Sequence, residues 1–220
     1  MLYFREFLNE ASGTTRTTVQ PKTKDELKDI IYKTIKEQGY DCDLNFIDTS
    51  KITDMSKLFM SSEFNGDISK WNVSNVTRMD YMFYGSEFKG DISKWDVSNV
   101  EYMGYMFAYS KFNRDISKWN VSNVKDMDYM FQRSKFNGDI SKWDVSNVER
   151  MKCMFMHSKF GGDISKWDVS NVRNMYDMFY SSEFNGDISK WDVSNVRDMY
   201  GMFEDSPLEG NEPDWYKKKN

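Results

Sequence analysis

Large apolar side chains recur along this chain with a period of 24 residues. Tryptophan occupies positions 71, 95, 119, 143, 167 and 191, and Trp215 falls on the next interval. Six units of one pattern follow each other from Asp67 without an insertion, and the last loses the pattern after Phe203. A unit of 24 residues is too short to bury its own apolar face, so neighbouring units must stack. The repeat therefore predicts a solenoid.

Two local patterns alternate within each unit. Trp71 and Val73 alternate with polar neighbours, which is the period of a half-exposed strand. Val76, Met79 and Phe83 follow at three- and four-residue spacings, which are typical of a short helix. We therefore predict an α/β, leucine-rich-repeat-like solenoid with one short parallel strand and one short helix in each 24-residue coil. The side chains expected inside the first full coil are Ile68, Trp71, Val73, Val76, Met79, Phe83 and Phe88.

Both ends of the array have sequences typical of caps. Thr23 and Glu26 have the spacing of a capping box, and apolar residues then continue at helical spacing as far as Ile35, before Gly39. The C-terminal end has Trp215 followed by a lysine-rich tail. The predicted organisation is an amphipathic segment at 1–11, a flexible linker at 12–22, a capping helix at 23–40, the solenoid at 41–206, and a C-terminal cap and basic tail at 207–220.

Composition and charge narrow the classes of function. The net charge of −5 comes from 30 basic and 35 acidic residues that are mixed along the whole chain, so no basic stripe is available for nucleic acid. No run of residues is apolar enough to cross a membrane, and the N-terminus lacks the pattern of a secretion signal. Cys42 and Cys153 are several coils apart, which predicts free thiols in a reducing compartment. We expect neither a nucleic-acid nor a membrane partner.

Residues that could carry catalysis or hold a metal do not form a recognisable motif. His157 is the only histidine, and with Cys153 one turn before it supplies too few ligands for a structural zinc site. A strict repeat also places identical groups in rows, whereas an active site needs unlike groups that converge in a pocket. We therefore predict a protein that is not an enzyme and that has no cofactor.

One column of aspartates has two possible roles. Each aspartate follows the turn of its unit, so the stacked carboxylates could hold calcium, which would make the protein a calcium-stabilised scaffold. Alternatively, each side chain accepts backbone hydrogens of its own turn. Both interpretations remain open from the sequence. The column consists of Asp67, Asp91, Asp115, Asp139, Asp163 and Asp187.

Nearly all variation between units lies between Val76 and Phe88 and at the equivalent positions. These variable positions are rich in tyrosine, with some arginine and methionine, and these residue types are enriched in interface cores. We therefore predict that the helix side of the solenoid binds a protein partner. A second candidate surface is the monotonous strand face, with Lys70, Asn72 and Ser74, which suits a repetitive target or self-association. The predicted interaction residues are Tyr81, Tyr84, Tyr102, Tyr105, Tyr109, Tyr129, Arg133, Met156, His157, Tyr176, Tyr180 and Tyr200.

The repeat unit can be compared with a known family. Its consensus, Asp-Ile-Ser-Lys-Trp-Asp-Val-Ser-Asn-Val followed by Met-Phe and Phe-Asn-Gly, resembles the repeat of the BspA-type leucine-rich-repeat family over about residues 43–203. This resemblance implies a leucine-rich-repeat-like solenoid with a role in protein contact or adhesion. Members of that family are often exported surface proteins, whereas this sequence has no export signal. A structural or adhesive component of a virion or a surface remains the alternative function.

The N-terminal segment carries a second motif. Phe4, Phe7 and Leu8 share one helical face, and residues 6–11 read Glu-Phe-Leu-Asn-Glu-Ala. This segment resembles the capsid-targeting leader of internal head proteins in T-even-type tailed phages. The resemblance implies cleavage by a prohead protease between Glu10 and Ala11. It also implies a protein carried in the virion interior and delivered to the host cytoplasm, where its partner would be a host protein. The alternative is a terminal helix without a role.

Overall fold

A computed structural model describes residues 17–218 of the 220-residue chain. Regular secondary structure in that range is limited to two helices, α1 at Lys24–Gln38 and α2 at Asp214–Lys217. Between the helices, turns and extended segments wind into coils of 24 residues. The described chain is therefore a repeat solenoid with a helix at each end. No helix among residues 17–218 is both long enough and apolar enough to cross a membrane.

Each coil is joined to the next along one segment of its backbone. Met79, Tyr81 and Phe83 donate their N–H groups to carbonyl oxygens of the following coil, over 2.9, 2.9 and 3.0 Å. The same segment carries isolated parallel β-bridges that recur in every coil from Asp54 to Asp198. Because each bridge joins residues 24 positions apart, the period of the sequence is one turn of the solenoid.

The predicted helix in each coil is wrong. The segment between Val76 and Phe83 consists of tight turns, and the N–H group of Met82 donates to the carbonyl of Met79 over 3.1 Å. Tyr81 has a φ of +58°, which interrupts a right-handed helix. The apolar spacing resembles that of a helix because these turns also direct Met79, Met82 and Phe83 into the core. Alternate N–H groups, however, bond to the next coil rather than four residues back.

The predicted strand at 71–74 is also absent. The N–H group of Trp71 donates to the carbonyl of Ile68 over 3.1 Å and closes a turn. The side-chain amide of Asn75 connects this segment to the preceding coil by donating to the carbonyl of Ser50 over 2.8 Å. The backbone ladder therefore runs along the other side of the coil, through the segment that was expected to be helical.

The core contains three ladders of aromatic rings: a tryptophan ladder and a phenylalanine ladder that alternate every 12 residues, and a second phenylalanine ladder that includes Phe88 and Phe112. Phe83 and Phe107 stack with ring centroids 5.7 Å apart and planes 3° apart, and Trp71 and Trp95 stack at 6.4 Å and 4°. Each indole N–H from Trp71 to Trp215 donates to a carbonyl 27 residues earlier, over 2.9–3.2 Å. The side chains predicted inside the coil are all buried, namely Ile68, Trp71, Val73, Val76, Met79, Phe83 and Phe88.

The two helices cover the ends of this core. At the N-terminus of α1, Thr23 Oγ1 accepts the N–H of Glu26 over 3.2 Å, and the helix stops at Gly39, whose φ is +85°. The α1 side chains buried against the first coil include Leu27, Ile30 and Ile31. At the other end, Trp215 of α2 stacks on Trp191 at 6.5 Å, which continues the tryptophan ladder by one step.

Candidate protein-binding face

The predicted interaction residues share one segment of successive coils. This is the turn segment that carries the hydrogen bonds between coils, so these side chains project from tight turns and not from helices. We call this surface the tyrosine face. Its members are Tyr81, Tyr84, Tyr102, Tyr105, Tyr109, Tyr129, Arg133, Met156, His157, Tyr176, Tyr180 and Tyr200.

Several of these tyrosines stand at unusual backbone positions. Tyr81, Tyr105, Tyr109 and Tyr129 have φ values between +57° and +59°, a region that costs L-residues roughly 1–2 kcal/mol relative to a right-handed conformation. Glycine adopts this region without that cost, and Gly201 occupies the position equivalent to Tyr105 in the last coil. The fold therefore does not need tyrosine at these positions.

Three tyrosines form a continuous stack at the centre of the face. The rings of Tyr81 and Tyr105 lie 4.4 Å apart with planes 9° apart, and those of Tyr105 and Tyr129 lie 4.2 Å apart with planes 10° apart. The ammonium group of Lys57 lies 5.5 Å from the Tyr81 ring, and that of Lys152 lies 5.7 Å from the Tyr129 ring. Burial raises the pKa of Tyr129 to about 12, and it also raises the pKa of Tyr105. The stack is thus a rigid, neutral, half-buried aromatic surface.

A second aromatic row runs beside this stack. Tyr84 lies 5.8 Å from Tyr81 and 5.4 Å from Tyr109, with the ring planes tilted by 52° in both pairs. The guanidinium of Arg133 lies 5.7 Å from the Tyr109 ring. Tyr109 is 45% exposed although its neighbours hold it in place. Exposed aromatic area in a fixed position is what a binding surface requires.

The face continues toward the C-terminal coils with fewer direct stacks. Lys152 also lies 4.9 Å from the ring of Tyr176, which stacks on Tyr200 at 6.1 Å. His157 contacts Tyr180 edge-on at 5.5 Å, and burial, together with the nearby Arg133, lowers the pKa of the imidazole. His157 is thus held in an aromatic contact with Tyr180. Beside this pair, the Gln132 amide donates to the sulfur of Met156 over 3.4 Å.

A row of charged residues borders the stack, and the sequence analysis did not identify it. Asp128 is buried; it accepts a hydrogen bond from Arg150 Nε over 2.9 Å and one from the Lys152 N–H over 2.8 Å. Desolvation raises the pKa values of Asp80 and Asp126, which lie on the same edge. The residues at these positions vary from coil to coil, so the 24-residue repeat does not reveal them. A comparison of the residues that directly precede the stacked tyrosines in each unit would have revealed the acids.

Tyr102 belongs to this border and not to the stack. The guanidinium of Arg78 lies 4.5 Å from its ring, and a carboxylate oxygen of Asp80 lies 2.9 Å from the same arginine. Desolvation raises the pKa of Asp80, and the charge of Arg78 opposes this rise. The border therefore combines an aromatic ring with a charged pair at the edge of the face.

Both cysteines are buried. Cys42 and Cys153 lie in different coils and do not form a disulfide with each other. The side chain of Cys153 interacts with that of Tyr129, and burial raises the pKa of its thiol to about 11, so it stays protonated at neutral pH. Within residues 17–218, no group of three or more metal-ligating side chains is placed to hold a metal ion.

The aspartate column is engaged in its own turns. In each coil the Oδ1 atom of the aspartate accepts the N–H of the serine two residues later, over 2.8–2.9 Å. These hydrogen bonds lower the pKa values of the carboxyls, as at Asp139, where bonds from Ser141 are the largest cause. The side chains thus stabilise the turns between coils.

The predicted processing site, Glu10 and Ala11, lies outside the described residues, as does the rest of the segment at 1–11.

The comparison with known families agrees with the periodic fold. A family model described as "Mycoplasma protein of unknown function, DUF285" matches the chain twice, over residues 28–135 and 109–215. No curated protein and no solved structure matches the chain. Two overlapping matches are expected when one family consists of tandem repeats, and the prediction of a repeat family is confirmed. Since the matches together span most of the 220 residues, the chain belongs to this family of Mycoplasma proteins of unknown function, DUF285.

Proposed function

We propose that this protein is a non-enzymatic scaffold whose tyrosine face binds another protein. The observation that carries the proposal is the continuous stack of Tyr81, Tyr105 and Tyr129, at turn positions where other coils have Lys57, Cys153, Asp177 and Gly201. A non-glycine residue costs free energy there in every coil, whatever its side chain, so the fold requires the turn but does not require tyrosine. Stacking recovers part of this cost, at about 0.5–1.5 kcal/mol for each pair.

The chemistry of the face suits a protein surface. Tyrosine presents a large apolar area and a hydroxyl group, and it loses little conformational entropy when it binds. The rings of Tyr81, Tyr105 and Tyr129 are already ordered by their mutual contacts, so a partner need not order them. The charged border at Asp126, Asp128 and Arg150 supplies polar groups around an aromatic centre, as protein interfaces do.

The proposal is tested by affinity capture with substitutions that the fold already accepts. Tyr109→Ser, Tyr180→Gln and Tyr200→Ser introduce residues found at the equivalent positions of other coils, namely Ser61, Gln132 and Ser56. We expect the triple variant to fold and to lose its partner. The matched control replaces three exposed lysines of the opposite segment by glutamine, at Lys94, Lys118 and Lys142. Loss of capture by the control alone would move the interface to that monotonous face and favour the structural or adhesive alternative.

The route to a host is a further part of this proposal. The resemblance of residues 6–11 to a phage leader supports this route. In this proposal the protein is delivered from the virion to the host, and its partner is a host protein. Intact-mass analysis of protein from purified phage heads tests it. A chain beginning at Ala11 is the expected product, whereas chains beginning at Met1, or none in the heads, would contradict the proposal.

A further inference from the structure

An exposed apolar groove runs along one edge of the contact between α1 and the first coil. It has a volume of about 730 Å³, and its walls include Ile31 and Ile35 of α1 and Leu58 of the coil. Three of the most exposed large apolar side chains in the described chain lie along it: Tyr32 at 68%, Tyr40 at 48% and Met60 at 42%. Apolar side chains concentrated in one concave place indicate a docking site.

The coil side of this groove also has open hydrogen-bond acceptors. In the next coil, the carbonyls of Met82 and Tyr84 accept N–H groups from the preceding coil over 2.9 and 2.7 Å. The equivalent carbonyls of Leu58 and Met60 have no donor among residues 17–218, because α1 replaces the preceding coil. An extended segment in the groove could donate N–H groups to them, as an added strand does at the edge of a sheet.

We propose that residues 1–8 occupy the groove in the full-length chain, before any cleavage after Glu10. Six of these eight residues are large and apolar, namely Met1, Leu2, Tyr3, Phe4, Phe7 and Leu8. The two charged residues, Arg5 and Glu6, have opposite charges available at the rim in Glu63 and in Lys28 and Lys36. The segment thus matches the groove in apolar content, in backbone donors and in charge.

The chain is long enough for this contact. Val19 forms a parallel bridge with Ile47, which fixes the start of the described chain beside the first coil. Ile47 is one coil before Trp71, whose ring lies 5.9 Å from that of Phe59 in the groove wall. The start of the described chain and the groove therefore lie at the same end of the solenoid. Residues 9–16, when extended, span roughly 26 Å, which is more than twice the diameter of about 10–12 Å of a helix such as α1.

Limited proteolysis of the full-length chain tests this inference and needs no partner protein. Chymotrypsin cleaves after Phe4 and Phe7, and the cleavage rate is followed by mass spectrometry. Met60→Glu places a charge in the groove at an exposed position, and the last coil already has a glutamate, Glu204, at the equivalent place. Met156→Glu is the matched control, since it makes the same substitution in the same column four coils away.

We expect Met60→Glu to increase cleavage at Phe4 and Phe7 about tenfold, Met156→Glu to leave it unchanged, and the wild-type rate to be independent of protein concentration. Equal rates in the wild type and in Met60→Glu would overturn the proposal. Protection of the wild type that disappears on dilution would also overturn it, because the groove would then hold the segment of a second copy. Neither outcome bears on the tyrosine face.

Discussion

Tyr105 and Tyr129 stack face to face on the surface of the solenoid, with ring centroids 4.2 Å apart, although both have positive φ values. The repeat makes this contact possible, because equivalent residues of successive coils stand one above the other. The local backbone does not favour it, since glycine would adopt the same conformation without cost. This opposition between stacking and backbone strain leads to a first prediction.

Replacement of Tyr105 by alanine should destabilise the protein more than replacement by glycine. Both changes remove the stacking contacts with Tyr81 and Tyr129, but only glycine relieves the backbone at φ +58°. We expect a difference of about 1 kcal/mol in the free energy of unfolding, measured by urea denaturation. Gly201 at the equivalent position shows that glycine fits the coil. An alanine variant as stable as the glycine variant would mean that the tyrosine positions are not strained.

A second prediction concerns the tryptophan ladder. Trp143→Phe removes the bond from Nε1 to the carbonyl of Ile116, 3.1 Å long, and leaves that buried carbonyl without this donor. The expected loss of stability from this hydrogen bond is about 0.5–1.5 kcal/mol, because the Ile116 carbonyl still accepts the N–H of Trp119 over 3.1 Å. Trp215→Phe removes the equivalent bond at the partly buried end of the ladder, so its effect on the unfolding midpoint should be smaller. A larger effect at Trp215 would contradict the proposed role of burial.

A third prediction concerns acid stability. The aspartate column has lowered pKa values, so its contribution to stability is complete above the unfolded pKa of about 3.9 and is lost as the pH falls through the folded values. Replacement of Asp115, Asp139 and Asp163 by asparagine keeps an acceptor for each turn but removes the titration. Asparagine already has this role at Asn72, whose Oδ1 atom accepts the N–H of Ser74 over 3.0 Å.

The melting temperature of this triple variant should therefore fall less between pH 5 and pH 2.5 than that of the wild type. Asp80 and Asp126, whose pKa values are raised, act in the opposite direction and are the same in both proteins. Parallel curves for the two proteins would show that the turn carboxylates do not control acid stability.

A fourth prediction tests whether calcium stabilises the scaffold. Because the aspartate oxygens already accept backbone N–H groups, millimolar calcium should leave the melting temperature unchanged, and a chelator should do the same. A calcium-dependent rise that disappears in Asp115→Asn/Asp139→Asn/Asp163→Asn would assign the column to calcium instead.

The sequence predicts the period, the core and the end helix, because these depend on which side chains are apolar. Trp71, Phe83 and Phe88 are buried as their recurrence indicates, and α1 ends at Gly39. Local conformation was not predictable in the same way. Met79 and Met82 have helical spacing, but that pattern does not reveal whether an N–H group bonds within its own coil or to the next.

The candidate face was predicted from its composition and not from its conformation. Tyrosine enrichment identified the variable segment, whereas nothing in the sequence indicates that Tyr81 or Tyr129 has a positive φ, since local propensity opposes it. The charged border was missed because Asp80, Gly104 and Asp128 occupy one column without repeating. Periodicity identifies residues that recur in every coil, whereas the residues of the charged border differ from one coil to the next.

The binding role of the tyrosine face is tested most directly by the dissociation constant of a captured partner. It should be measured for the wild type, for Tyr109→Ser/Tyr180→Gln/Tyr200→Ser, and for Lys94→Gln/Lys118→Gln/Lys142→Gln. Buried tyrosines at an interface contribute upwards of about 1 kcal/mol each, so we predict a loss of affinity of at least about 100-fold for the tyrosine variant and an unchanged value for the lysine variant. Equal affinities for the wild type and the tyrosine variant would contradict the proposed function.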